Sequence, residues 1–218
     1  PMTWLTRLLW LTLPITLGDL VAASLADRCD AVALVATVLA WGLWATGLLA
    51  SLVRTPWALL VMRMVMPLAI VGGVVAASTQ TPDVLGWIGL ASAAVAVVAS
   101  MTAEVGYECI NGAAYGDEAR FPLRPPAALL LGPIGLVWAL ATLPLPLAML
   151  ALAAQQWLLG ALLAALGIPA AWWGVRVLAR LTRRWCVFVP AGITLVDDLA
   201  LAEPTLMRSV DIVAIGPA

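Results

Sequence analysis

Apolar runs of membrane-crossing length recur from one end of this chain to the other, and few folds accommodate that. Six segments qualify: Leu8–Ala26, Ala31–Val53, Trp57–Ser78, Val84–Met101, Ala127–Leu143 and Leu147–Ala170. A helix rising 1.5 Å per residue needs about 20 apolar residues to cross a hydrocarbon core. Only 11% of the 218 residues are charged, whereas a soluble domain carries about a quarter. The expected fold is an all-α transmembrane bundle of about six helices over residues 1–184. A small cytoplasmic β-rich segment is expected to begin at 185 and run to 218.

Between the fifth and sixth runs, Leu143–Pro146 reads LPLP. Each proline lacks the N–H that a continuing helix uses, which places a tight hairpin turn there. The sixth run continues through Gly167 and Pro169 into WWGVRVLARL, expected as a kinked or interfacial extension. The chain opens Pro-Met and stops at IVAIGPA, so both ends read as cut.

Arginine placement sets the expected orientation. All eleven basic residues are Arg. With the N-terminus inside, Arg7, Arg54, Arg120, Arg124, Arg176, Arg180, Arg183 and Arg184 fall on the cytoplasmic side and Arg28 outside, as the positive-inside rule requires. Both ends are therefore expected inside a bacterial inner membrane. Trp4, Trp10, Trp57, Trp87, Trp172, Trp173 and Trp185 lie near proposed span ends, where an amphipathic indole prefers the interface.

Ionisable residues at membrane depth are the default pointers to function. Asp19 lies in the first run and Arg63 in the third, at expected depths of roughly 16 Å and roughly 10 Å from the cytoplasmic side. An Asp19–Arg63 pair is one arrangement; Arg63 with Glu104 or Glu108, at the end of the fourth run, is another. Each of these charges also reads simply as a tie between helices, with Arg63 snorkelling to the headgroups.

The longest connection between runs contains NGAAYGDEARFPLRPP. Its candidate residues are Asn111, Tyr115, Asp117, Glu118, Arg120 and Arg124. Glycines for turning, arginines for topology and prolines at a helix entry explain the segment structurally. A loop that binds headgroups or a partner is the functional alternative. Arg176, Arg180, Arg183 and Arg184 form a juxtamembrane basic cluster suited to anionic lipid, or to topology alone.

Chemistry is sparse. The absence of His removes the commonest proton shuttle and metal ligand. Cys29, Cys109 and Cys186 are scattered without CxxC spacing, so neither a disulfide framework nor a thiolate metal site is expected. No catalytic motif, cofactor or metal is expected, and a net charge of −1 without a basic arm gives no nucleic-acid footprint. Asp197 and Asp198 are adjacent, which suits a turn better than a two-carboxylate site.

After Arg184 the pattern changes to short β-branched and aromatic runs, Trp185–Val189, Ile193–Val196 and Val210–Ile215, with a turn at Pro190–Gly192. The segment RRWCVFVPAGITLVDDLAL, followed by RSVDIVAI, resembles the opening strands of bacterial PH-like domains fused to membrane helices. More broadly, LPITLGDLVAASLADR, NGAAYGDEARFPLRPP and RRWCVFVPAG resemble uncharacterised multi-pass membrane proteins of actinobacteria, a resemblance that implies no activity.

Three functions fit these features. The first is a non-enzymatic membrane anchor or scaffold that presents the β segment to anionic lipid headgroups or a cytoplasmic protein. The second is a small-solute or ion transporter component with Asp19 and Arg63 in a polar path. The third is a membrane-embedded enzyme using acids at the cytoplasmic face.

Overall fold

The computed structural model describes residues 2–112, 114, 118–123, 129, 132–198, 201 and 203–212. Its helices are α1 (Met2–Leu25), α2 (Asp30–Leu52), α3 (Pro56–Thr79), α4 (Val84–Ser100), α5 (Ala103–Asn111), α6 (Pro133–Thr142), α7 (Pro144–Ala153) and α8 (Trp157–Thr182). Local chemistry starts several of them. Thr55 accepts from the Ala58 N–H at 3.2 Å with Pro56 in the first turn, and Asp83 accepts from the Gly86 N–H at 2.7 Å. Both are N-caps that satisfy an orphan donor.

Among the described residues, five stretches are long and apolar enough to cross a membrane: α1, α2, α3, α6 with α7, and α8. A sixth arises if α4 and α5, bent by 57° at Ser100–Ala103, are one broken span. At the break Thr102 restarts the helix, its hydroxyl accepting from the Val105 N–H at 3.5 Å.

The expected hairpin at LPLP is not there. Leu143 closes α6 in a helical conformation and at the same time opens α7, with Pro144 in the first turn of α7. Proline is tolerated there because its missing N–H would be unpaired anyway. Pro133–Ala153 thus forms one candidate span. The turn falls instead at Ala154–Gln156, where Gln155 adopts φ 60° and its N–H donates to the Leu152 carbonyl at 3.0 Å. The last helix then runs unbroken across Pro169 to Thr182.

Small residues let the helices close. In lipid, association rests on packing and hydrogen bonds, because lipid tails are as apolar as leucine. The Trp10 ring, 0% exposed, fills the space that a side chain at Gly47 would need. Its indole donates to the Trp44 carbonyl at 2.8 Å, and the Trp44 indole returns the bond to the Trp10 carbonyl at 3.0 Å. Leu17 lies against Gly89 and Leu20 against Gly86, which sets α1 antiparallel to α4. Along α8, Gly160, Gly167 and Gly174 receive Leu152, Pro144 and Ala141 in turn. Trp138 ties α6 to α3 through the Met64 carbonyl at 2.9 Å.

Among the described residues, four strands form one antiparallel sheet in the order β1 (Ala119–Pro122), β2 (Arg184–Val189), β3 (Gly192–Asp197), β4 (Thr205–Arg208). The β2–β3 hairpin turns at Pro190–Ala191 as expected. Gly192 follows with φ +148°, and a Cβ there would strike the Met207 carbonyl. The third tail strand was expected at Val210–Ile215. It lies earlier, at Thr205–Arg208, with a 3-10 turn over Ser209–Asp211, and residues 213–215 lie outside the described residues. The strand β1 comes from the long connection between spans, so the loop and the tail share one sheet.

Candidate functional site

One end of the bundle collects the sheet and most of the arginines. The Arg7 Nε donates to the Ser51 carbonyl at 2.7 Å, at the C-terminus of α2. Arg63 donates from Nε to the Ser100 carbonyl at 3.3 Å, at the C-terminus of α4. The last carbonyls of a helix lack intrahelical partners and carry the negative end of its dipole, so guanidinium groups suit both places. Arg54 packs on Gly112, and Arg183 lies 5.1 Å from the centre of the Trp57 ring.

This geometry overturns the pairings expected for Arg63. Asp19 sits between Leu17 and Leu20, which touch Gly89 and Gly86, whereas Arg63 reaches Ser100. The separation along α4 is roughly 15–20 Å. Asp19 lies on the exposed face of α1 and has no hydrogen-bond or ion-pair partner among the described residues. Glu104 does not pair with Arg63 either, since its Oε1 accepts from the Met2 N–H at 3.0 Å. Glu108 holds one carboxylate oxygen buried with no hydrogen bond among the described residues.

Asn111 does more than end a helix. Its Oδ1 accepts from the Arg120 N–H at 2.9 Å and its Nδ2 donates to the Arg120 carbonyl at 2.7 Å. The side-chain amide thereby takes the place of a neighbouring strand along the outer edge of β1, which would otherwise expose an unpaired row of backbone groups. The same Nδ2 donates to the Tyr107 carbonyl at 3.0 Å. A run of rings reinforces the junction: Tyr107 on α5 lies 5.6 Å from Phe121 on β1, and Phe121 lies 5.3 Å from Phe188 on β2. Edge-to-face and tilted contacts at such distances are favourable.

Glu118 pairs with Arg120 at 3.0 Å. Together they border a shallow open trough of about 290 Å³, floored by Trp185, Val187, Val189, Thr194 and Val196 on one face of the sheet. Tyr115, Asp117 and Arg124 lie outside the described residues.

The basic cluster divides. Arg176, Arg180 and Arg183 are exposed, and Arg176 stacks 3.3 Å from the centre of the Trp172 ring. Arg184 is not a lipid-facing member. It sits directly across from Asp197 in the β2–β3 ladder and makes two hydrogen bonds of 2.8 Å to its carboxylate. Asp197 is 7% exposed and ends β3, and the turn expected at the Asp197–Asp198 pair begins at Asp198, where the Leu201 N–H donates back to the Asp197 carbonyl at 2.9 Å. On the same face as this pair, burial pushes the Cys186 thiol above its ordinary pKa.

Two site features went unread in the sequence. β1 is four residues long and ends in proline, too short for alternation to register. The Arg184–Asp197 pair depends on strand register, which spacing alone does not supply. No family model matches the chain, no characterised protein is significantly similar to it, and no solved structure matches its fold.

Proposed function

We propose that this protein is a non-enzymatic anchor in a bacterial inner membrane, with both ends inside, that holds a cytoplasmic sheet of PH-like type against the membrane for contact with anionic lipid or a protein partner. The observation that carries this reading is the shared sheet. A loop strand between spans and three tail strands are hydrogen-bonded together and clamped to α5 by Asn111. Such a sheet is oriented by the bundle instead of swinging on a tether. Arg176, Arg180 and Arg183 supply the positive charge that anionic headgroups attract.

A transport path is less well supported, because Arg63 is occupied at the end of α4 and Asp19 lies far from it on the outer face. An enzymatic site is also less well supported. Glu104 accepts from the Met2 N–H, Glu118 pairs with Arg120, and Glu108 keeps a buried oxygen with no hydrogen bond among the described residues, so the three acids sit in different surroundings.

The test is thiol accessibility in intact cells and inverted vesicles, with single cysteines at positions 19, 63, 108 and 207. The anchor reading expects 207 and 108 to label only from the cytoplasmic side while 19 and 63 stay dry. Labelling of 19 and 63 by a small water-soluble reagent would replace it with the transport reading.

A further inference from the structure

Two side chains on the outer surface of the bundle are out of place for a lipid-facing wall. Asp19 is the first. It is exposed on α1 beside apolar Leu11 and Ile15, which are 50% and 72% exposed, and it has no partner among the described residues. Lipid satisfies Leu11 and Ile15 but offers a carboxyl group nothing. The second is Trp41, at the middle of α2 and 54% exposed. Trp4, Trp57, Trp87 and Trp157 fall in the first turns of their helices, and Trp172 and Trp173 lie beside the charged Arg176, places where water and headgroups are near. The indoles of buried Trp10 and of half-buried Trp44 and Trp138 each donate to a carbonyl. Trp41 touches the Trp44 ring edge-on at 5.4 Å, but its N–H has no acceptor among the described residues.

The two groups are complementary, one an acceptor and the other a donor, and their depths converge. The reciprocal Trp10–Trp44 bonds set those residues level. Counting three residues along each helix puts Trp41 level with Leu13, about 9 Å in depth from Asp19. Side chains lean toward the N-terminus of their own helix. Because α1 and α2 run antiparallel, Asp19 leans toward the sheet end and Trp41 leans away from it, which narrows the gap. Each group also stands next to a bare stretch of backbone. A Cβ at Gly18 or at Gly42 would meet nothing within 4 Å, so another helix can approach closely at both places.

We propose that the outer face of α1 and α2 is a dimer interface between two copies of this chain, in which the Asp19 carboxyl group accepts a hydrogen bond from the Trp41 indole of the second copy, and the reverse. A two-fold axis along the membrane normal keeps every residue at its own depth in both copies. It lets one self-complementary patch satisfy both misfits twice. A foreign helix with a cation would serve Asp19 alone and leave Trp41 as it is.

The experiment uses the full chain in lipid vesicles in two differently tagged forms, both carrying Cys29→Ser. One form carries Thr12→Cys and the other Gly42→Cys, two positions that the Trp10–Trp44 bonds set level with one another and that a two-fold axis keeps at one depth. Mild oxidation is expected to produce a disulfide that joins the two tags. In parallel, single-molecule photobleaching of the fluorescently labelled chain without these cysteines is expected to show pairs. Asp19→Leu and Trp41→Phe should each weaken pairing by about tenfold, since each removes two symmetry-related bonds. Asp19→Asn, which keeps an acceptor oxygen, should preserve it. If Asp19→Leu does not insert, Trp41→Phe carries the test alone. Single-step bleaching at every protein-to-lipid ratio, or pairing that neither substitution alters, overturns the proposal.

Discussion

Replacing Asn111 with alanine removes both hydrogen bonds that fix the Arg120 peptide groups to α5. The expected cost is about 1–2 kcal/mol for two net hydrogen bonds. Hydrogen exchange should show it as faster exchange in β1 while α1–α4 keep their protection; unchanged β1 protection would mean that the clamp is incidental. Asp197→Ala is the more severe change, because it strands the Arg184 guanidinium in a mostly buried site. Breaking such a pair costs about 3 kcal/mol or more, and limited proteolysis of β2 and β3 would report it. Cys186 offers a pH test. Its folded thiol has a raised pKa, so it stays protonated at a pH where an unfolded thiol has already ionised. Maleimide labelling should therefore rise with pH later in the folded protein than in the denatured chain. The same shift stabilises the fold below the ordinary thiol pKa, and that contribution is lost as pH climbs through the raised value.

At the scale of the helices, steric fit decides which substitutions matter. Gly167→Leu would drive a side chain into Pro144 and Leu145, whereas Gly135→Leu points into open space. The first should destabilise the α7–α8 hairpin by about 1–3 kcal/mol through overpacking, and the second should be close to neutral, as judged by unfolding in mixed micelles. The positions of α1 to α4 were legible because each apolar run ends at a polar break and a capping residue, such as Thr55 or Asp83. The boundary between the last two spans was not legible at LPLP. Proline there reads as a stop, whereas one helix ends and another begins across Leu143. The better mark was the polar Gln155–Gln156 pair, in a stretch otherwise apolar from Leu143 to Val175. The bend before α5 hides in the same way, because Met101 and Thr102 change the direction of the chain without a change in hydropathy.

The whole molecule joins two parts that the sequence keeps more than 60 residues apart: a loop between spans and a tail after the last one. Arginines at the ends of α2 and α4, the α5 helix and the sheet all lie at one end of the bundle, which the proposed orientation puts inside the cell. The most direct measurement is a cross-link inside that shared sheet. Phe121 lies opposite Cys186 in the β1–β2 register, so Phe121→Cys places two thiols on neighbouring strands with a single substitution. In native membranes under mild oxidation, a disulfide between positions 121 and 186 should form quickly and be absent from the Cys186→Ser control. If both thiols instead remain free and react with maleimide, the loop and the tail do not share a sheet, and the account of the platform fails.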